Sequence, residues 1–458
     1  MSLGTYPKES QSTLWIPTAD IQESPGHPFY KRLNELLAGA EFDGYVEDSC
    51  RPFYAEGGRP SIAPGVYFRM LMVGYFEGIS SERGIEWRCS DSLSLREFLG
   101  LALSDRVPDH SSLSRIRHRL PVELYFEVFE RILLLLSDNG LVKGKNIGID
   151  ATTLEANAAM RSIVRRDTGE SYHEFLTALA KASGIETPTK ADLAKLDRTR
   201  KNKASNDDWK SPGDPDSGIT KMKNGSTHLA HKAEHAIDLD TDALLVVSRH
   251  AGHVGDTTSG PDTLEIAVNR IEQLQDESEN NASKNSKTVA ADKGYHSDAV
   301  LKDVETLGVK SYVASKDVTR NFDGKPQERK RYHANERRLK TKRGEKLRKL
   351  RAEKVERSMA HMYLTGAMRR CWVRGDENVL KRLQIQGVAY NLGLLVRKLT
   401  GCGTPRGLAD ALKRELLRIF GQMVTFMNAE FAVRLRQPVM RTFFSVVKSD
   451  TAQLRFAR

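Results

Sequence analysis

The sequence predicts an α/β sheet domain preceded by an all-helical region and followed by further helices. Three patterns predict it. Apolar residues recur at helical spacing through residues 27–140. From Lys145 onward, short apolar runs alternate with helical segments, as in a sheet covered by helices. Two of those runs end on an aspartate, Asp150 and Asp292, and Glu356 follows inside a long basic helical stretch.

The helical region can be read element by element. Residues 1–26 form an irregular arm broken by Pro7, Pro17 and Pro25. Phe29, Leu33, Leu36 and Leu37 then share one helical face. Pro64 opens a second helix at the position where its missing N–H costs nothing, and the Tyr67–Phe76 apolar run follows. Ser92–Leu101 is a third helix, ended by Val107-Pro108-Asp109, and Asp109 caps His110–Leu120. Pro121 starts a long apolar helix to about Leu136.

The sheet region begins with a strand at Lys145–Asp150 that runs into Thr152, Thr153 and Leu154. Arg161–Lys223 is polar, with one helical patch near Tyr172–Ala182, and reads as an insertion or flexible excursion too polar for a core. Ala230–Asp238 and Ala243–His250 form a hairpin about Asp240-Thr241-Asp242. Pro261–Leu274 is a helix with Leu264, Val268, Ile271 and Leu274 on one face. After a loop at Asn280–Lys287 come a buried strand at Thr288–Ala291, a helix at Ser297–Leu307 and a strand at Val309–Ala314. The expected domains are an arm (1–26), a helical DNA-binding domain (27–140), a catalytic domain (141–400) with the insertion at about 161–225, and a helical C-terminal extension (401–458).

Composition narrows the function. At 458 residues the chain can hold two or three domains, each with its own core. A net charge of +11 and a pI of 9.3 favour a polyanionic partner. Cys50, Cys89, Cys371 and Cys402 form no C-x-x-C pair, which argues against a zinc knuckle and a disulfide scaffold and for a reducing compartment. The start, MSLGTYPKES, lacks the pattern of a signal peptide, and the longest apolar run, Ile132–Leu136, is too short to span a bilayer. A cytoplasmic protein with no membrane association is expected.

Charge is also localised. From Arg329 to Arg351 twelve basic residues stand against two acidic ones, Glu336 and Glu345. A solvated helix face does not require so lopsided a balance, whereas phosphate binding does, and Arg337, Arg338, Lys340, Lys342 and Arg343 are the expected contacts. Ser92–Leu101 and His110–Leu120 have the order of a helix-turn-helix. The second helix offers Ser111, Ser112, Ser114, Arg115, Arg117, His118 and Arg119 to phosphates or base edges. The alternative is the ordinary solvated face of a helical bundle.

Asp150 and Asp292 end strand-like segments at what would be the same edge of the sheet. If those strands are parallel neighbours, both carboxylates enter one crevice, and Glu356 reaches it from a helix. Three carboxylates without histidine or cysteine suit a hard ion, Mg²⁺ or Mn²⁺, and two such ions can cut and join phosphodiesters. Asp256 could also approach. His228, His231, His235, His250 and His253 line the hairpin, where alternating strand positions explain them as well as metal ligation does.

Gly148-Ile149-Asp150-Ala151-Thr152-Thr153, Ala291-Asp292-Lys293-Gly294-Tyr295-His296-Ser297 and Val355-Glu356-Arg357-Ser358-Met359-Ala360-His361 carry a resemblance. So do Pro108-Asp109-His110-Ser111-Ser112-Leu113, Gly366-Ala367-Met368-Arg369-Arg370, Arg374-Gly375 and Asn391-Leu392-Gly393-Leu394. As an ordered set over roughly residues 50–400 the chain resembles a DDE transposase of bacterial insertion sequences, in the branch with an all-helical N-terminal domain.

The resemblance implies an RNase H-like catalytic domain. Asp150, Asp292 and Glu356 would hold two ions, Mg²⁺ or Mn²⁺. His296 and Lys293 would stand just behind them. It further implies binding to the terminal inverted repeats and target DNA, a homodimer on DNA and a nucleoid-associated bacterial setting. Glu353, about one turn from Glu356, is a rival third acid, and Glu155 reads as a surface or supporting residue.

The Tyr-x2-Arg-x3-Glu-x6-Lys signature of related elements is absent. Its places hold Lys349, Ala352 and Tyr363, so Arg357, Arg369, Arg370 and Arg374 are the expected end contacts. A nuclease of the same fold without strand transfer, and a DNA-binding protein with a vestigial site, are the competing readings.

Overall fold

Local sequence explains most of the N-terminal helices. The computed structural model of the chain describes residues 26–408, except Arg59, 201–203, 223–224, 278–286 and 316–319, and part of 410–423. Helix α1 (Pro28–Gly39) starts on a proline and buries Phe29, Tyr30, Leu33 and Leu37. Next come α2 (Phe42–Cys50) and α3 (Pro64–Glu77), the latter buried from Tyr67 to Phe76. Ser81 caps α4 (Glu82–Ser90) and Ser92 caps α5 (Leu93–Phe98). Asp109 caps α6 (His110–Arg119), accepting the Ser112 N–H at 2.9 Å. α7 (Val122–Asp138) follows Pro121. The short helices α2 and α4 are additions to the expected set. Neither carries enough apolar residues to show a period.

Strand β1 (Asn146–Glu155) runs five residues past Asp150. The stretch read as an insertion or flexible excursion forms elements of its own over its described residues, including the expected helical patch. It holds β2 (Val164–Arg165), α8 (Tyr172–Ala182), α9 (Lys190–Thr199), β3 (Trp209–Lys210) and β4 (Gly218–Lys221). Two small cores support it. In one, Ala156, Ile163, Trp209 and Leu229 pack together, and in the other Leu176, Ala180 and Leu193 do. Trp209 takes Tyr172 and Phe175 edge-on at 5.1 and 5.3 Å. A few large side chains compensate for a polar composition.

The remaining elements are β5 (Thr227–Asp238), β6 (Leu244–Ala251), α10 (Asp256–Glu277), β7 (Thr288–Ala291), α11 (Asp298–Thr306) and β8 (Lys310–Val313). They are followed by α12 (Pro326–Leu339), α13 (Lys342–Leu364) and α14 (Asp376–Thr400). The main sheet has the order β4-β5-β1-β7-β8, with β6 also on β5. β1, β7 and β8 are parallel, and β5 is antiparallel to its neighbours. α10 covers one face and α13 crosses the other. Helix α10 starts five residues before Pro261 and runs through it.

The long basic helical stretch is two helices. Thr341 caps the second, accepting the Gly344 N–H at 3.1 Å. A Cβ at Gly344 would collide with the Arg338 carbonyl and lie 2.5 Å from that of Leu339, so only glycine permits this tight corner. α14 is buried from Lys381 to Val396, between α3, α7 and β6. Its Asn391 side chain bonds both backbone groups of Leu244, at 3.0 and 2.9 Å. The helical region and the sheet therefore share one continuous core. A helix resumes at Pro405; residues 1–25 of the expected arm and residues 424–458 of the expected extension lie outside the described residues.

Candidate active site

The pairing of β1 with β7 sets the site. Gly148 stands opposite Ala290, so continuing the register places Asp150 level with Asp292 on adjacent parallel strands. On the other side Asp150 pairs with His235 of β5. Residues of equal parity along β1 share a face. Gly148, Asp150 and Thr152 all meet α13: a Cβ at Gly148 would lie 3.1 Å from Val355, Arg351 ion-pairs with Asp150, and the Thr152 and Tyr363 hydroxyls are 2.5 Å apart.

Asp256, the first residue of α10, stands against Asp292. A Cβ at Gly294 would collide with Asp256 Oδ2 and lie 2.9 Å from Asp292 Oδ1, so both carboxylates flank this glycine. Burial pushes the Asp150 carboxyl up to about 6. Arg351 and the Ala151 N–H oppose the rise, and Asp292 and Asp256 add to it. Asp150 therefore lies within electrostatic reach of both. Asp292 Oδ1 accepts the Gly294 N–H at 2.7 Å. Lys232 Nζ reaches Asp256 Oδ1 at 2.6 Å and donates to Ser259 Oγ at 2.8 Å. Behind it the fully buried Glu234 accepts from Tyr295 (2.6 Å), Ser259 (3.0 Å) and Thr263 (2.5 Å).

Glu356 is exposed on α13. At roughly 100° per residue it shares a stripe with Ala352, Met359 and Tyr363. Tyr363 turns toward the C-terminal end of β1 and donates to the Thr153 carbonyl at 2.7 Å. Glu353 ion-pairs with Arg357, which also donates to Asp242 Oδ2 at 3.2 Å in the β5–β6 turn, on another side of the helix. Among the described residues no three Asp, Glu, His or Cys side chains converge as a metal-holding group. Asp150 and Asp292 stand level on adjacent strands, Asp256 flanks Gly294 opposite Asp292, and Glu356 is exposed on the helix that crosses them. An all-oxygen donor set in a desolvated crevice fits a hard divalent ion. Asp150, Asp292 and Asp256 are each tied up by a basic or amide group.

The other expected contacts divide into two groups. Arg115, Arg119, Arg337, Lys340, Lys342, Arg343, Arg369 and Arg374 are exposed, and so is Lys293, just after Asp292. Arg119 lies over Tyr54 and Arg369 over Tyr363. Arg117 is largely buried. It ion-pairs with Glu82 and donates to Asn378 Oδ1 at 3.3 Å, so it joins α6 to α4 and α14. Arg338 donates to the Ser311 carbonyl at 2.8 Å, Arg357 is held by Asp242 and Glu353, and Arg370 lies over Trp372.

His296 is buried beside Arg320 and Tyr332. Two of the hairpin histidines have separate buried partners. His231 bonds Asp214 at 2.9 Å, and His235 bonds Ser358 at 2.9 Å. Sequence reading missed Lys232 and Glu234. A lysine and a glutamate two residues apart, in a strand that reads buried along almost its whole length, were the available signal.

A mixed sheet with an antiparallel hairpin, aspartates at the ends of two parallel strands and a helix across them defines an RNase H-like enzyme. The comparisons carry this to a family. A model described as "Transposase domain (DUF772)" matches residues 18–119, and one described as "Transposase DDE domain" matches residues 194–392. The chain belongs to the DDE transposases. The second match takes in Asp292 and Glu356 and begins after Asp150.

Among solved structures, the "Mos1 transposase paired-end complex with left transposon end" is 11% identical, covering 66% of this chain and 81% of that one with a TM-score of 0.18. The "Crystal structure of the Mos1 mariner paired end complex with Mn" is 11% identical, covering 73% and 86% with a TM-score of 0.17. Likeness at that level carries no argument about geometry. No curated protein matches the chain. Among the described residues no helix is long and apolar enough to cross a membrane.

Proposed function

We propose that the chain binds the terminal inverted repeats of its element, frees their 3′ ends and joins them to target DNA at the Asp150–Asp292 crevice. The observation that carries this reading is the register of those two aspartates on adjacent parallel strands, with α13 laid across them. Asp150, Asp292 and Glu356 would hold two divalent ions, Mg²⁺ or Mn²⁺. The ions would supply the charge that activates water or a 3′-hydroxyl and stabilises the leaving oxygen. Asp256 is the further carboxylate, favoured by its place against Asp292 across Gly294.

The chain's other residues hold and orient the DNA. The exposed Arg337, Lys340, Lys342 and Arg343 around the α12–α13 corner, and Arg115 and Arg119 on α6, offer donors to backbone phosphates. Arg369 and Arg374 flank the segment that joins Glu155 of β1 through the Arg369 carbonyl. Two ends must be paired for joining, so the working form is a homodimer on DNA.

The test is a strand-transfer assay with Mg²⁺ or Mn²⁺ on labelled DNA carrying the repeats that flank the gene. Joined product from wild type, and none from Glu356→Gln, Asp150→Asn or Asp292→Asn, is expected. Cleavage without joining makes the chain a nuclease, and binding without either makes the site vestigial.

A further inference from the structure

Asp150, Asp292 and Asp256 sit within mutual electrostatic reach, yet they do not form a ready ligand set. Two cations explain this. Arg351 takes Asp150 Oδ2, while Oδ1 accepts the Ala151 N–H at 2.8 Å. Lys232 takes Asp256 Oδ1. Three carboxylates and two cations leave a net charge of about −1, a weak lure for a divalent ion compared with three uncompensated carboxylates.

The two cations differ in how they are held. Lys232 is 4% exposed and also bonds Ser259 Oγ and the Val254 carbonyl, with Glu234 at 3.8 Å, so it belongs to the permanent network under α10. Among the described residues Arg351 bonds Asp150 alone. It stands on α13 next to the exposed Arg348 and Lys349, at the edge of the basic surface. Its side chain is 13% exposed, and Asp150 is the single contact it would give up among the described residues. A guanidinium is a planar fork suited equally to carboxylate and to phosphate.

We infer that Arg351 is an internal counter-ion for Asp150, and that a DNA phosphate draws it away and so opens the site to divalent ions. This inference rests on the reading of Asp150 as an ion ligand. Arg351 is thus a positioning residue whose exchange of partners links DNA binding to metal binding. Such linkage is reciprocal: whatever DNA adds to ion affinity, ions add to DNA affinity.

The experiment measures Mn²⁺ binding to the full chain, from the electron paramagnetic resonance signal of free Mn²⁺ and from thermal shifts. It is run with and without a duplex carrying the repeats that flank the gene. For wild type, the duplex should tighten Mn²⁺ binding by about tenfold. Arg351→Gln should tighten it by about tenfold without DNA, and the duplex should then add little. Arg351→Lys, with a shorter contact and its charge retained, should fall between the two, and it decides the matter if Arg351→Gln does not fold. Asp150→Asn separates the two readings. If Asp150→Asn weakens binding but neither Arg351 variant strengthens it, the counter-ion role is overturned. If Asp150→Asn leaves Mn²⁺ binding unchanged, the ion-ligand reading fails and the counter-ion role falls with it.

Discussion

At the residue scale, the crevice contains two titratable groups that burial drives in opposite directions. His235, opposite Asp150, is fully buried, which pushes its pKa down to about 4. An ordinary histidine titrates near ~6.5. Between those values the unfolded chain binds the proton and the folded one does not. His235 therefore contributes stability that is present above about 6.5 and lost as pH falls through about 4. Asp150 works the other way. Its carboxyl is raised to about 6, so its contribution is present below the ordinary ~3.9 and lost as pH rises through about 6. In EDTA, the melting temperature of His235→Gln should fall less than that of wild type on acidification from 6.5 to 4, and Asp150→Asn should change the profile in the opposite sense. Parallel profiles would count against both assignments.

Gly294 gives a second test at this scale. Gly294→Ala drives a methyl into Asp256 and Asp292. DNA cleavage should fall by at least about tenfold, because small misplacements of catalytic groups are costly, while the fold persists. Unchanged cleavage in a folded variant would show that the two carboxylates need not flank that backbone. Asp150 and Asp292 were legible in the sequence because each ends an apolar run. Asp256 was legible only as a residue that could approach, and the partners Arg351 and Lys232 were not, because they come from segments that meet only once the sheet has formed.

At the element scale, the basic stretch needs division. The sequence shows an excess of charge but not which donors the fold uses. Lys342 and Arg343 are exposed at the start of α13. Replacing both with glutamate should weaken DNA binding and lower the slope of log affinity against log salt by about 2. An unchanged slope would remove that corner from the DNA-binding surface. Arg117 was expected as a DNA contact on the second helix of the helix-turn-helix-like pair, yet it is 14% exposed and paired with Glu82, itself largely buried. Arg117→Ala should cost roughly 3 kcal/mol of stability, the scale for stranding a buried partner, with the salt slope intact. Chemical denaturation and binding at several salt concentrations separate the two effects. Long periodic elements such as α7, and strands ending on marked residues, were readable. The break between α12 and α13 was not, because a glycine corner among lysines and arginines leaves the local period intact.

At the scale of the whole molecule, α14 decides how the protein unfolds. Separate domains usually meet across polar surfaces and move independently. Here the joint is apolar and continuous. α14 is buried from Lys381 to Val396, with α3 and α7 on one side and β6 on the other. Gly387 shows how closely they approach: a Cβ there would lie 2.5 Å from Phe129 of α7 and 3.2 Å from Val247 of β6. One methyl group would therefore push against the helical region and the sheet together. Gly387→Ala should destabilise the protein by about 1–3 kcal/mol, the usual cost of overpacking. Because both regions lean on the same helix, calorimetry should show one transition for residues 26–408, moved as a unit to lower temperature in the variant. Two transitions, with only one of them moved by the variant, would mean that the helical region holds its own fold and that α14 belongs to the sheet alone.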